Sequence, residues 1–199
     1  MKRVLLTGFE PFNKASSNPT QELVRILETE KLPNVTTATL PVEFGRAGLI
    51  ACQLIDEFKP DVVIALGQAE GRAEITPEKI AINLDNARIP DNAGNMPSGT
   101  EIIPGGPDGY FSTLPVEEIV KTLQEEKLPA SVSYSAGTFV CNNVFYLIQS
   151  HCKGKNIKSG FVHVPLMESQ AAEFPGLPVF SIEMMLKATK IMIAEVQRQ

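Results

Sequence analysis

The chain has 199 residues, of which 43% are hydrophobic and 21% charged, and a formal net charge of −5. That size and apolar content suit one domain over residues 1–199 without an internal linker, and the acidic balance excludes a basic footprint for nucleic acid or an anionic membrane. Three cysteines without repeated spacing make no disulfide framework, no run approaches transmembrane length, and the apolar N-terminal stretch is too short for a signal peptide, so a cytoplasmic protein is expected.

The apolar residues 4–7 read as a strand, and residues 20–31 as a helix with Leu23, Val24, Ile26 and Leu27 on one stripe. Residues 35–40 alternate like a strand and 46–58 follow helical spacing. The continuous apolar run over 61–66 suits a strand covered on both faces. A strand is expected over 79–84, followed by a Pro/Gly-rich stretch, 89–107, that reads as a functional loop between structured segments. Further on come a helix over 116–126, a strand over 131–135, a helix over 138–150, a strand over 160–164 and a last helix from near Ser181. In that last helix Ile182, Met185, Leu186, Ile193 and Val196 keep helical spacing, so its methionines read as core filling. Alternating strands and helices predict a layered α/β/α sandwich around a mostly parallel twisted sheet. Ligands gather at the carboxyl ends of such strands, where Gly8, Gly67 and His163 fall.

Cys141 is the most informative residue, because the segment Ser135-Ala-Gly-Thr-Phe-Val-Cys141-Asn-Asn turns through Gly137 into an apolar helix. A helix N-terminus offers unpaired N–H groups and positive potential, which favour a thiolate and can hold an oxyanion. Cys52, inside a helical pattern, reads as core, and Cys152 as near the surface. The His151/Cys152 pair lacks further ligands, so no metal site is expected. A thiol nucleophile needs a base, and His163 is a polar residue inside an apolar strand that Pro165 ends. His151 lies about 15 Å from Cys141 along the same helix, at 1.5 Å rise per residue, and cannot serve. An acceptor must orient the base. Glu70, Glu74 and Glu78 follow a buried strand, and only Glu78 immediately precedes the next one.

Five segments, in order, resemble the signatures of the pyroglutamyl peptidase I (pyrrolidone-carboxylate peptidase) family. They are Gly8-Phe-Glu-Pro-Phe12 with Asn18-Pro19, Gly71-Arg-Ala-Glu-Ile-Thr-Pro-Glu78, Asn86-Ala-Arg-Ile-Pro-Asp-Asn92, Gly137-Thr-Phe-Val-Cys-Asn142 and Phe161-Val-His-Val-Pro165. The resemblance covers essentially the whole chain. It implies a cytosolic, commonly tetrameric cysteine omega-peptidase that removes N-terminal pyroglutamate from peptides without a cofactor. By that resemblance Cys141 is the nucleophile, His163 the general acid/base and Glu78 the residue that orients it. The Cys141 N–H and Arg88 then form the oxyanion site. Phe12 and Phe139 sandwich the lactam, Phe9 and Val140 complete the walls, Gln68 meets the lactam polar atoms through its backbone, and Asn18 braces the loop.

The chain departs from the family pattern at Asn13-Lys14, where glycines are usual, at Glu70, where a glycine is common, and at Lys79, which replaces an arginine. Lys tolerates left-handed backbone poorly, and Glu70 adds negative charge near the lactam. Two rival readings stand beside the peptidase: a non-catalytic small-molecule-binding α/β domain, and a cysteine hydrolase acting on another N-terminal cap. The first lacks a Gly-rich phosphate loop, and the second draws on Glu70.

Overall fold

The structure, a computed structural model, describes residues 1–198. Its main sheet has the order β2-β1-β3-β7-β4, with β1 (Val4–Phe9), β2 (Val35–Leu40), β3 (Val62–Gln68) and β7 (Lys158–Val164) parallel and the two-residue β4 (Thr76–Pro77) antiparallel at the edge. Strands β1 and β3 are buried throughout, and β7 is buried apart from Lys158. Successive residues therefore feed two cores. Val62, Ile64, Leu66 and Val162 face one, while Val63, Ala65 and Phe161 face the other. Each of these side chains larger than Ala65 contributes roughly 1.5–3 kcal/mol of burial.

Helices α1 (Pro19–Glu30), α3 (Val116–Glu125) and α5 (Ile182–Arg198) supply the first core, and α2 (Arg46–Phe58) and α4 (Val140–Cys152) the second. Local chemistry sets their ends. Asn18 caps α1, accepting from the Thr20 N–H at 2.9 Å, with Pro19 in the first turn. Lys31 and Lys59, both left-handed, close α1 and α2. Met185 and Met192 of α5 are fully buried, as core filling requires, but Met184, one residue round the helix from Met185, is exposed and fills no core.

Three local expectations are corrected. The strand expected over 79–84 is only β5 (Ile80–Ile82), which leaves the main sheet to pair with β6 (Gly109–Phe111). Residues 131–135 form no strand; isolated bridges join Ala130 to Ile75 and Ser133 to Glu78. Pro77 lies in the partner segment and has no N–H to continue that ladder. Cys152 is buried rather than near the surface, because the last turn of α4 still packs on the core. Short β8 (Leu166–Met167) and β9 (Val179–Phe180) form a small parallel pair beyond β7.

Candidate active site

Helix α4 starts at the cavity that the sheet's carboxyl ends leave open. Phe139 is the extended N-cap residue, which puts Cys141 in the first turn with its N–H free of the helix ladder. Gly137, at φ 75°, makes the preceding turn. Two asparagines pin this turn to distant loops. Asn142 accepts from Ile82 N at 3.0 Å and donates to the carbonyls of Ile82 and Leu84 at 2.9 and 3.0 Å. Asn143 donates to Asp85 at 2.8 Å, and the Thr138 hydroxyl donates to Asn86 O at 2.7 Å. The segment carrying Arg88 is thereby tied beside Cys141.

Gly67 and His163 are register partners on β3 and β7. An ideal Cβ on Gly67 would lie 3.0 Å from Cys141 Sγ, so the thiol sits directly over the strand beside His163. His163 Nδ1 donates to Glu78 Oε1 at 2.6 Å, and the same oxygen accepts from Arg72 Nη1 at 2.7 Å. An ionised carboxylate only accepts, so Nδ1 carries the proton and Nε2 keeps its lone pair. Glu78 is held by its backbone as well, its N–H donating to Phe161 O at 2.8 Å. Arg72 also donates to Thr76 and, at 3.0 Å, to Ser135 O.

Burial opposes ionisation of Glu78, but hydrogen bonding and charge from His163, with Ser133 and Arg72 adding to them, hold its pKa below the ordinary value. Burial likewise pulls His163 below its ordinary value; Glu78 opposes the shift and Arg72 adds to it. For Cys141, burial and then the charge of Glu78 push the thiol up to about 12, against Arg72 and its own backbone N–H. The depressed thiol pKa expected from the helix N-terminus is therefore overridden. At neutral pH the resting pair is a thiol and a neutral imidazole.

A cavity of about 520 Å³ is lined by Phe12, Gln68, Glu70, Arg72, Arg88, Phe139, Cys141 and His163, among others. Beside it lies an apolar recess of about 20 Å³, walled by Phe9, Phe12, Asn18, Val42, Gln68, Phe139, Val140 and Cys141. The rings of Phe12 and Phe139 stand 6.0 Å apart, and Phe44 meets Phe139 edge-on at 5.2 Å. Asn18 spends its side chain on the loop: Oδ1 accepts from the N–H and hydroxyl of Thr20, and Nδ2 donates to Glu10 O at 3.2 Å. His151 is far away at the other end of α4, bonded to Asp56 at 2.8 Å. A thiol, a tautomer-fixed imidazole, a helix N-terminus and an apolar recess can together perform acyl transfer on a small uncharged group.

The family model described as pyroglutamyl peptidase matches residues 2–199. The chain belongs to the pyroglutamyl peptidase family. Among curated relatives, the pyrrolidone-carboxylate peptidase of Vibrio parahaemolyticus is 46% identical, over 96% of this chain and 91% of its own. The solved pyroglutamyl peptidase I of Bacillus amyloliquefaciens superposes with a TM-score of 0.92 at 40% identity, covering 96% of this chain and 95% of that one. A mutant pyrrolidone carboxyl peptidase from Pyrococcus furiosus gives a TM-score of 0.93 at 40% identity, with 99% of both chains covered.

Within this pyroglutamyl peptidase the unusual residues can now be located. Asn13 and Lys14 both take left-handed angles, φ 51° and 63°, so the loop keeps a glycine-like backbone that Asn13 tolerates and the Lys14 side chain disfavours. Glu70 is exposed on the cavity rim. Lys79 turns away from the site to pair with Glu117. Sequence reasoning passed over Arg72 and Val42. Arg72 stands six residues before Glu78 in a segment with several charges, and spacing alone does not separate it from a solvated arginine.

Proposed function

We propose that this chain removes N-terminal pyroglutamate through a thioester on Cys141. Family membership carries the activity, hydrolysis of the amide after a pyroglutamyl residue. The observation that carries the residue roles is the His163–Glu78 contact of 2.6 Å beside a thiol over Gly67. His163 Nε2 takes the Sγ proton as Sγ attacks the pyroglutamyl carbonyl carbon. The resulting oxyanion is stabilised by the Cys141 N–H and by Arg88. Collapse breaks the C–N bond, and the imidazolium gives its proton to the leaving amine. Water then attacks the thioester with His163 as base, releasing pyroglutamate and restoring the thiol. Glu78 holds the imidazole in the required tautomer and stabilises its charged form.

A lactam is flat and uncharged, and Phe12, Phe139, Phe9 and Val140 offer it apolar faces. The Phe12 and Phe139 rings, tilted by 38° with centroids 6.0 Å apart, both line the recess. An open-chain N-terminal glutamine would carry its ammonium into this recess unpaired, which is costly. The proposal extends to a single domain and to a homo-oligomer, supported by exposed Leu49, Met96, Phe111 and Tyr134. Among the described residues no helix is long and apolar enough to cross a membrane.

The test is release of a fluorescent amine from a pyroglutamyl amide, beside alanyl and prolyl amides. Turnover of the pyroglutamyl amide alone, abolished in folded Cys141→Ala and His163→Ala, is expected. Near-wild-type turnover in either variant sinks the assignment.

A further inference from the structure

Glu78 is 0% exposed, and its two carboxylate oxygens are unequally served. Oε1 accepts from both His163 Nδ1 and Arg72 Nη1, at 2.6 and 2.7 Å, whereas Oε2 is buried with no partner among the described residues. A buried carboxylate oxygen without a donor favours the neutral acid. Strand register brings a hydroxyl to its side. Thr76 opposes His163 across β4 and β7, so Glu78, two residues on, lies on the face that carries His163, Gly67 and the Cys141 thiol. Ser133 is the parallel bridge partner of Glu78, held there by Ser133 N–H to Pro77 O at 2.9 Å and Lys79 N–H to Ser133 O at 2.7 Å. Bridge partners share a face, so the half-buried Ser133 side chain stands beside Glu78 on the catalytic side. Its hydroxyl has one hydrogen and two claimants. Ser135 O lies 3.3 Å away, a long contact, and already accepts from Arg72 Nη2 at 3.0 Å. Oε2 is charged and unserved, and charge-assisted hydrogen bonds are roughly twice as strong as neutral ones. Burial raises the Glu78 pKa, and against it the Ser133 side chain is close enough to join His163 in favouring the charged form.

We propose that Ser133 is a positioning residue whose hydroxyl turns from Ser135 O to donate to Glu78 Oε2, holding Glu78 as a carboxylate while His163 gains and returns its proton. The inference rests on the pyroglutamyl reading of the site, in which Glu78 orients His163. One rotation about the Ser133 Cα–Cβ bond makes the change, and Arg72 keeps Ser135 O satisfied when it happens. A donor on each oxygen disfavours protonation of either. Were Glu78 to protonate, its O–H would donate to His163 Nδ1 and leave the imidazole hydrogen on Nε2, the nitrogen that must receive the Sγ proton.

The test compares Ser133→Ala with Ser133→Thr, which keeps the hydroxyl. Without the donor the carboxylate is more basic, so the His163–Glu78 pair takes up its proton at higher pH. The pair is read without turnover, through the pH titration of the imidazole C–H signals in NMR. The chain has two histidines, and the signal lost in His163→Ala assigns the one that matters. Turnover of a pyroglutamyl amide is read separately. Ser133→Ala should raise the His163 titration and the acid limb of kcat/KM together, by about one pH unit. On the acid side of both limbs kcat/KM then falls about 10-fold, and above them it returns to near wild type. Ser133→Thr should restore the wild-type titration and limb. An unmoved titration in folded Ser133→Ala, a loss of kcat/KM equal at every pH, or the same shift in Ser133→Thr overturns the proposal, because the serine then only braces the turn at Ser135. A wild type that turns over no pyroglutamyl amide overturns the catalytic reading instead, and the His163 titration still decides the Ser133 contact.

Discussion

Gly67→Ala offers a direct measurement of how closely the nucleophile is seated. An ideal Cβ at Gly67 would lie 2.7 Å from Cε1 and Cζ of Phe161 and 3.0 Å from Cys141 Sγ. Ordinary carbon contacts begin near ~3.5 Å, so the ring must retreat by about 0.8 Å and the sulfur by about 0.5 Å. The ring has little room, being fully buried with Phe9, Phe145 and His163 at centroid distances of 6.3, 6.0 and 4.9 Å. Overpacking of this kind costs about 1–3 kcal/mol, which in a chain of this length lowers Tm by roughly 2–12 °C. Displacing a reacting atom by a sizeable fraction of an ångström costs on the order of 10²-fold in rate.

Gly160→Ala supplies the control. It lies on the same sheet but on the opposite face, where its Cβ would meet the Ser112 hydroxyl first and then Leu114 at 2.7 and 2.8 Å. A comparable loss of stability is expected there, with kcat/KM per folded molecule within about twofold of wild type. Thermal unfolding, pyroglutamyl amide kinetics and the alkylation rate of Cys141 measure the three quantities. Equal loss of kcat/KM in both variants, at a temperature where both are folded, would refute the reasoning, since the activity change would then track stability and not the seat of the sulfur.

Two further outcomes follow from the electrostatics. Because burial holds His163 below the ordinary histidine value and pushes the Cys141 thiol up, the acid limb of kcat/KM should lie below pH 6.5 and any limb from the thiol should lie above the ordinary thiol range. An acid limb above 6.5 in the pH–rate profile would contradict the neutral resting pair. Stability has the same sign: His163 and Glu78 both bind protons less readily when folded, so stability is lost as pH falls from 6.5 through the folded values, which acid unfolding curves can follow. Arg72→Met removes a cation that lowers His163 and pairs with buried Glu78. It should move the acid limb to higher pH, reduce kcat, and cost about 1–3 kcal/mol, below the full penalty for a broken buried pair because His163 still contacts Glu78. An unmoved acid limb would show that Arg72 only braces the loop.

The parts of the molecule readable from sequence are those where one strong pattern acts alone. The run of apolar residues in β3 suits a strand buried on both faces, which it forms, and the spacing of apolar residues bounds α2 at both ends. Cys141 and His163 stood out because each is a chemically active residue at the border of such a pattern. Where partners decide the structure, the pattern fails. The 131–135 segment has a strand's alternation, yet its neighbour contains Pro77, and no inspection of 131–135 alone reveals that. The thiol illustrates the same limit in electrostatics: its place at a helix N-terminus is local and legible, whereas the burial that outweighs it is a property of the assembled fold.

Gln170 is the extreme case. It lies in Met167-Glu-Ser-Gln170, a polar stretch with no periodicity, and its partners Ser17 and Gln68 stand 153 and 102 residues away. Nothing in its neighbourhood distinguishes it from an exposed glutamine. Its significance comes from burial to 0% exposure and from contact with two backbone groups whose polarity cannot be reversed. A nucleophile can be recognised by its own chemistry, but a residue that acts by orienting another can be recognised only from the contacts it makes. In this chain Cys141 and His163 stand out in the sequence by their own chemistry, whereas Arg72, which pairs with Glu78, and Gln170, which is held by distant backbone groups, are distinguished only by the fold.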